Sequence, residues 1–261
     1  MTTLTIPELL ERIEYPDRDG LPMSDNTLQW YWMVLIKESL EAMFVDDPNV
    51  FVGGNLLWYP VEGDNRLRVA PDVFVAMGRP KGYRGSYKQW CEGGQPPHVV
   101  FEILSPGNTS TEVLEKIDFY DEYGVEEFYI YDPDRGTLRG FYRHEGVWQA
   151  IETMQNWISP RLKIRFQLEE GQLILTQPDG QRFLSTCERV RQLKQAENEV
   201  EHQRLLAEQQ QRRAEQQQRR AELQQRRAEE QQQAATLEKA RADRLAEKLR
   251  ALGIDPDTDA T

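Results

Sequence analysis

The sequence contains few residues that could build disulfides or soft metal sites, with two cysteines and three histidines in 261 residues. These counts exclude a disulfide-stabilised scaffold and a zinc site made of Cys and His. Long hydrophobic runs are also missing, since no stretch approaches the roughly 18 apolar residues of a membrane-spanning helix. The N-terminal segment MTTLTIPELL lacks the basic-then-apolar pattern of a secretion signal. We therefore expect a cytoplasmic protein with no membrane partner.

Positive charge is scarce in most of the chain. There are 32 Lys and Arg against 44 Asp and Glu, which makes the formal net charge −12. Residues 1–188 alone carry −13, whereas residues 189–250 carry +4. Bulk charge therefore argues against non-specific nucleic-acid binding by the main part of the chain. A local basic groove, or a metal ion that offsets clustered carboxylates, is compatible with this balance.

The composition changes sharply at residue 189. Residues 189–250 consist mostly of Gln, Arg, Glu and Ala and contain a seven-residue repeat, QQQRRAE. Such a repeat predicts a long helix that forms a coiled coil, and a seam of Ala and Gln makes that coiled coil weak. The alternatives are a single solvated helix held by Glu/Arg pairs, or a nucleic-acid tether made of the Arg-Arg pairs. Residues 251–261 are predicted to be a disordered acidic tail.

Residues 1–188 are predicted to form one α/β domain. The chain alternates between segments of helical length and short apolar segments that end at Gly or Pro. The predicted helices are Ile6–Ile13, Thr27–Phe44 and Thr109–Tyr123, and the predicted strands are Val50–Tyr59, Pro71–Met77, His98–Ser105, Glu126–Tyr131, Thr137–Arg143, Gly146–Ile151, Leu162–Leu168 and Gln172–Leu175. This order predicts a mixed sheet with one crossover helix.

Two carboxylates lie inside apolar strand segments. Asp72 precedes VFVAM, and Glu102 lies within VVFEIL. A buried carboxylate needs a partner, so each residue alone could serve in a salt bridge or a backbone cap. Together, two acids from neighbouring strands could hold a hard divalent cation, which would activate a water molecule for attack on a phosphodiester. Lys116 follows on the next helix and could neutralise the charge that develops, or could simply pair with Glu112 one turn earlier.

These residues occur in an order that resembles the Uma-two family of putative restriction endonucleases, within the PD-(D/E)XK nuclease-like superfamily. The resemblance covers about residues 20–180. The matching motifs are Pro71-Asp72, Glu102-Ile103-Leu104-Ser105-Pro106, Lys116, Tyr120 and the segment GVEEFYIYDP over residues 124–133. The resemblance implies a restriction-endonuclease-like mixed sheet with flanking helices, to which the long C-terminal helix or coiled coil is added.

The resemblance also implies roles for individual residues. Asp72 and Glu102 would be the two acids of the motif and the ligands of Mg²⁺ or Mn²⁺, and Lys116 would be its lysine. The usual motif places that lysine two residues after the second acid, where this chain has Leu104, and the family is understood to supply it from the following helix. The accessory candidates are Glu112, which is a further ligand or the partner of Lys116, and an acid on the first core helix, either Glu38 or Glu41.

A loop between the second and third predicted strands combines basic and aromatic residues. Lys81, Arg84 and Lys88 alternate there with Tyr83, Tyr87 and Trp90. This composition suits contacts with a DNA backbone, and it equally suits a solvated loop anchored by Trp90.

The leading hypothesis is a metal-dependent endonuclease that hydrolyses DNA. The alternative is an adaptor that keeps the nuclease fold with little or no catalysis and oligomerises through its C-terminal helix, for example as a homodimer. The acidic charge of residues 1–188 and the long low-complexity helix motivate this alternative.

Overall fold

The computed structural model describes residues 13–17, 20 and 24–251. These residues form three α-helices and one short 3₁₀ helix. The bounds are α1 (Thr27–Met43), α2 (Ser110–Glu122), α3 (Thr186–Ala251) and the 3₁₀ helix Gln89–Glu92. The helix predicted over Ile6–Ile13 lies outside the described residues except for its last residue. The predicted disordered tail lies outside them after Ala251.

A six-stranded sheet forms the centre of the domain. Its strands run in the spatial order β1-β3-β5-β6-β7-β8. Their bounds are β1 (Val50–Gly54), β3 (Val73–Met77), β5 (Val99–Ile103), β6 (Glu127–Asp132), β7 (Thr137–His144) and β8 (Val147–Ala150). Only β5 and β6 pair in parallel, and α2 connects them, while the other neighbours are antiparallel. The predicted mixed α/β architecture with one crossover helix is confirmed.

Two smaller sheets cover the central one. A parallel pair consists of β2 (Trp58–Tyr59) and β4 (Tyr87–Lys88), and a three-stranded antiparallel sheet consists of β9 (Trp157–Ile158), β10 (Arg165–Glu169) and β11 (Gln172–Thr176). The sequence predicted a single mixed sheet, whereas β9, β10 and β11 form a sheet of their own in the structure. Alternation shows which face of a strand is buried, but it does not show which sheet the strand joins.

Each face of the central sheet has its own hydrophobic core. Alternate residues of β5 point to opposite faces, as strand geometry requires. Val99, Phe101 and Ile103 pack in a cluster with residues of α1, β10 and β11. Val100 packs in a second cluster with Tyr120 of α2 and residues of β3 and β6. Side chains at even-numbered positions of β5, including Glu102, therefore belong to the face that α2 covers.

The strand predicted over Val50–Tyr59 is interrupted. Gly53 allows close packing of Phe74, because a Cβ atom at position 53 would collide with the Phe74 ring. Asn55 then adopts a left-handed backbone conformation, with φ 45°. Its N–H donates to the carbonyl oxygens of Pro71 and Asp72, at 3.1 Å each. The chain leaves the central sheet at this turn and re-forms a strand only at Trp58.

Helix caps set the helix starts. Asn26 caps α1 by accepting from the N–H groups of Leu28 and Gln29. Thr109 and Glu112 form a capping box at the start of α2. A second capping box, between Ser185 and Glu188, begins α3 three residues before the composition change.

The chain divides into two units, Met1–Val190 and Arg191–Thr261. No residue of α3 is buried. Along the repeat, Gln211, Gln218 and Gln225 each donate to the Glu four residues later. These bonds support the helix from its own surface. None of the described helices has the length and apolar character that crossing a membrane requires.

Candidate active site

The two strand acids identified from the sequence are neighbours in the central sheet. Val73 of β3 pairs with Phe101 of β5, so the same register places Asp72 opposite Glu102. Opposite residues of an antiparallel pair share a face and lie about 5 Å apart at Cβ. Asp72 is 7% exposed and Glu102 is 4% exposed. The sheet therefore brings two buried carboxyl groups together, with Glu102 bonded to α2 and Asp72 beside residues of α1.

Glu102 receives two hydrogen bonds from α2. The Nζ atom of Lys116 lies 2.6 Å from Oε2, and the Tyr120 hydroxyl donates to Oε1 at 2.5 Å. Lys116 and Tyr120 are four residues apart and so point from the same side of the helix. The capping box and the helical spacing thus direct one cation and one hydroxyl at the same carboxylate. The family resemblance names both residues among its matching motifs and implies a role only for Lys116.

Asp72 is held at the end of the β3–β5 ladder. Its Oδ2 atom accepts from the N–H of Ile103 at 2.7 Å, so the side chain satisfies a backbone group beyond the last β3 pair. Gln29 of α1 donates to the carbonyl of the same residue at 2.9 Å. Asp25 donates its N–H to the Gln29 side chain at 2.7 Å. Gln29, which the sequence pattern did not single out, therefore fixes the backbone between the two acids.

The charges in this cluster are strongly coupled. Burial, and then the nearby charge of Glu102, raise the pKa of Asp72 from 3.8 to about 8. Burial opposes the charged form of Lys116, but the carboxylates of Glu102 and Asp72 outweigh it, so the pKa of Lys116 is raised. Burial and Glu102 raise the pKa of the Tyr120 hydroxyl well above its usual value. Near neutral pH Lys116 is a cation and the Tyr120 hydroxyl is a neutral donor, and the raised pKa of Asp72 means that its carboxylate form needs a nearby cation.

A small pocket lies next to Glu102 and Lys116. Glu112 and Asn108 also line it, together with Leu104 and apolar residues of β6 and α2. The Glu112 carboxylate accepts from the Thr109 N–H at 2.9 Å, so its role in the structure is to cap the helix. It also lies near enough to raise the pKa of Lys116.

The two acids proposed on the first core helix both contact Lys37. The Nζ atom of Lys37 contacts Glu41 at 2.8 Å and Glu38 at 3.2 Å. Both glutamates are nearly half exposed. Glu38 lines a cleft with Asp72. Of the two candidates, the structure brings Glu38 into a shared cleft with one strand acid.

The basic residues of the loop are engaged within the domain. Lys81 donates to the carbonyl of Phe44 at 2.6 Å. Arg84 bonds Glu92 at 2.5 Å and stacks on Phe51. Lys88 lies 5.0 Å from the ring centre of Tyr15. These contacts anchor the loop, and contact with DNA by these three residues stays a prediction.

The donor set of the acid pair fits a hard divalent cation. Among the described residues no three His, Cys, Asp or Glu side chains gather as a metal site. Two carboxylates are nevertheless sufficient for Mg²⁺, which keeps several water ligands and takes others from substrate oxygens. Oε2 of Glu102 accepts from the Lys116 ammonium group at 2.6 Å, so a metal ion would share this carboxylate with Lys116. A metal there would be held by Asp72 and Glu102.

A third buried acid belongs to a separate network. Glu127 of β6 accepts from Tyr129 at 2.8 Å, from Ser159 at 2.5 Å and from the N–H of Arg161 at 2.5 Å. Burial raises the pKa of Glu127. Because successive side chains of β6 point to opposite faces, Glu127 lies on the face of the central sheet opposite to Glu102. Its hydrogen bonds there connect the segment before β10 to the central sheet. The sequence pattern did not identify this network, because two of the partners, Ser159 and Arg161, lie 32 and 34 residues away in sequence.

Comparison with known proteins gives a family match and a distant structural neighbour. A family model described as "Uma2: Putative restriction endonuclease" matches residues 11–170. One similar solved structure is a putative nuclease belonging to DUF820 from Anabaena variabilis ATCC 29413. It is 17% identical, with a TM-score of 0.38, and the alignment covers 60% of this chain and 89% of that one. No curated protein matches the sequence.

Proposed function

This chain belongs to the Uma2 family of putative restriction endonucleases, whose model matches more than half of it, and we propose that it is an endodeoxyribonuclease. It would hydrolyse phosphodiester bonds in DNA at a PD-(D/E)XK-like site. Mg²⁺ or Mn²⁺ would be the cofactor, held by Asp72 and Glu102. The observation that supports this most directly is the contact between Lys116 and Glu102 beside Asp72.

The proposed chemistry divides among these residues according to their charge. A bound metal ion would polarise the phosphate and lower the pKa of a bound water molecule. Lys116 remains protonated, so it acts as a positive charge for the developing phosphorane oxygens and not as a base. Tyr120 positions Glu102 by holding one of its oxygens, because its hydroxyl is buried and does not ionise near neutral pH.

The test compares cleavage by matched carboxylate variants. Glu102→Gln removes the charge in the site, whereas Glu112→Gln removes a charge one helical turn from Lys116 and retains a residue that suits the capping box. Plasmid and single-stranded DNA are incubated with each protein and Mg²⁺ or Mn²⁺. We expect cleavage by wild type and Glu112→Gln, and only background cleavage by Glu102→Gln. Equal cleavage by Glu102→Gln would contradict the proposed site.

Metal binding is measured separately by calorimetry. Wild type is expected to bind Mn²⁺, and Asp72→Ala/Glu102→Ala is expected not to bind it. Loss of metal binding in the folded double variant would support the assigned ligands. Equal binding by both proteins would place the metal elsewhere.

The second candidate function is a nuclease-fold adaptor that forms homo-oligomers through its long helix. The observation that favours it is the absence of any buried residue along α3, which leaves apolar positions such as Leu193, Val200 and Leu245 exposed. Sedimentation of the full chain and of a chain that ends at Val190 tests this role. If the protein is an adaptor, the full chain forms a dimer or larger oligomer, the truncated chain is a monomer, and neither protein cleaves DNA. An unchanged oligomeric state removes the role proposed for the helix.

A further inference from the structure

A cleft of about 330 Å³ lies between α1 and the end of β1, next to the acid pair. Trp30, Met33 and Val34 provide an apolar wall, and Asn55 and Asp72 lie on the other side. This volume is in the range of pockets that bind small organic groups. Asp72 therefore connects the candidate active site to a second concave surface of different chemistry.

The Trp30 side chain is more exposed than that of a tryptophan packed in a hydrophobic core. It is 44% exposed, and it makes no ring contact with another aromatic residue within the described part of the chain. The adjacent Tyr31 is 42% exposed, but it packs edge-on against Trp32 and does not line the cleft. A free indole face beside a hydrolytic site is suited to stacking on a flat group.

Asn55 adds a polar group with unused hydrogen-bonding capacity. Its backbone N–H is bonded, whereas its side-chain amide has no hydrogen-bond partner among the residues that the structure describes. Its φ of 45° is uncommon for a residue other than glycine, and such positions are frequent at functional sites. An amide carries both donors and acceptors, so it can pair with the edge of a base.

The charge of the cleft favours a base over a phosphate. Lys37 is the only cation that lines it within the described residues, and Glu38 and Glu41 already neutralise it. The carboxyl group of Asp72 also lines the cleft, and it offers no positive charge to a phosphate. A phosphate would therefore meet no free cation in the cleft, whereas a neutral planar ring would meet an indole, two apolar side chains and an amide.

We propose that this cleft binds a nucleobase of the substrate strand, with Trp30 stacking on the base and Asn55 bonding to its edge. The inference rests on the proposed nuclease function and adds a substrate class to it. A base inside a duplex is already stacked and paired, so the cleft selects single-stranded DNA or a strand with an unpaired base beside the cleaved phosphate.

The test measures binding without cleavage. A fluorescein-labelled single strand of about 15 nucleotides is titrated with full-length protein in EDTA, and anisotropy reports the Kd. Removing one stacking contact typically weakens binding at least fivefold, so we expect about a tenfold loss for Trp30→Ala. Trp30→Phe should retain most of the affinity, and Tyr31→Ala should bind like wild type. Asn55→Gly, which suits φ 45°, should reduce differences in affinity among oligo-dA, oligo-dC and oligo-dT.

An abasic strand separates recognition of the base from recognition of the phosphate. It keeps every phosphate but lacks the bases, so wild type should bind it as weakly as Trp30→Ala binds the normal strand. Equal affinity of wild type for both strands, or of Trp30→Ala and wild type for the normal strand, overturns the base site. Failure of wild type to bind single strands overturns it as well. A change in sedimentation of Trp30→Ala without a change in DNA affinity would assign the cleft to a second copy of the chain.

The two proposals fail in different assays. If wild type cleaves DNA and Glu102→Gln does not, while Trp30→Ala binds single strands normally, then the base site is wrong and the nuclease assignment stands. If Glu102→Gln cleaves as well as wild type, or if wild type cleaves nothing, the nuclease assignment fails whatever the anisotropy shows.

Discussion

Replacement of Asp72 by Asn should stabilise the protein while removing the function proposed for that residue. The carboxyl group is buried opposite Glu102, and its pKa is raised from 3.8 to about 8. An acid whose pKa is higher in the folded state loses stability as pH rises from the unfolded value to the folded one. Below pH 3.8 the penalty is absent, and above about pH 8 it is fully present.

The magnitude follows from the shift in pKa. Each unit of pH well inside this window costs about 1.4 kcal/mol, and the slope falls off near the folded pKa, so the penalty in the free energy of unfolding grows by about 2 kcal/mol between pH 6 and 8. Asn has nearly the same shape, keeps an acceptor for the Ile103 N–H and carries no charge. The gain from Asp72→Asn should therefore be small near pH 4 and increase up to about pH 8.

Urea unfolding followed by tryptophan fluorescence measures this difference. All six tryptophans lie between residues 30 and 157, so the signal reports the α/β domain and not the long helix. The control is Asp118→Asn, which removes an exposed carboxylate from α2. Its effect should be small at every pH. If Asp72→Asn is less stable than wild type at pH 8, or if its gain does not grow with pH, the proposed coupling between the buried acids is wrong.

Three further substitutions test contacts around the acid pair and are measured by the same unfolding assay. Lys116→Met leaves Glu102 buried without its cation and should lower the free energy of unfolding by about 3 kcal/mol. Lys116→Arg should recover part of this loss. An unchanged unfolding midpoint in Lys116→Met would show that the ion pair is not formed. Tyr120→Phe removes the other partner of Glu102 and should cost about 1–3 kcal/mol, and a neutral result would contradict the buried hydrogen bond. Gly53→Ala forces a methyl group against the ring of Phe74 and should cost about 1–3 kcal/mol, whereas a stabilised variant would contradict this close packing.

The positions of helices and strands could be predicted from the sequence, because the interactions that start and end them lie within a few residues. The N-cap Asn26 and the Thr109–Glu112 capping box act over three residues, and they lie at the starts of the segments predicted to be helical from Thr27 and from Thr109. The apolar segment around Glu102 likewise predicted a strand, and every residue of β5 is buried in the structure. The restriction-endonuclease-like α/β class followed from the order of these segments and from the family resemblance. The capping box of Ser185 and Glu188 carried the same kind of signal and was overlooked.

The candidate site was predictable only in its residue types. An acid within an apolar strand requires a partner whatever the fold, so Asp72, Glu102 and Lys116 were identified from solvation and the motif alone. Which groups satisfy those acids depends on contacts across long sequence separations. Gln29 reaches the carbonyl of Ile103 over 74 residues, and Asp72 reaches the N–H of the same residue over 31.

Tertiary structure decided the arrangement that the proposed chemistry needs. Strand register placed Asp72 opposite Glu102, and the crossover of α2 brought Tyr120 to the second oxygen of Glu102. Packing of α1 beside the end of β1 left Trp30 and Asn55 on one cleft. Hydrophobic periodicity indicates which side of a helix or strand is buried, but the same apolar side could pack against many different helices or strands. The choice among those neighbours is made by close packing and by the need to satisfy buried polar groups, and both are properties of the folded chain as a whole.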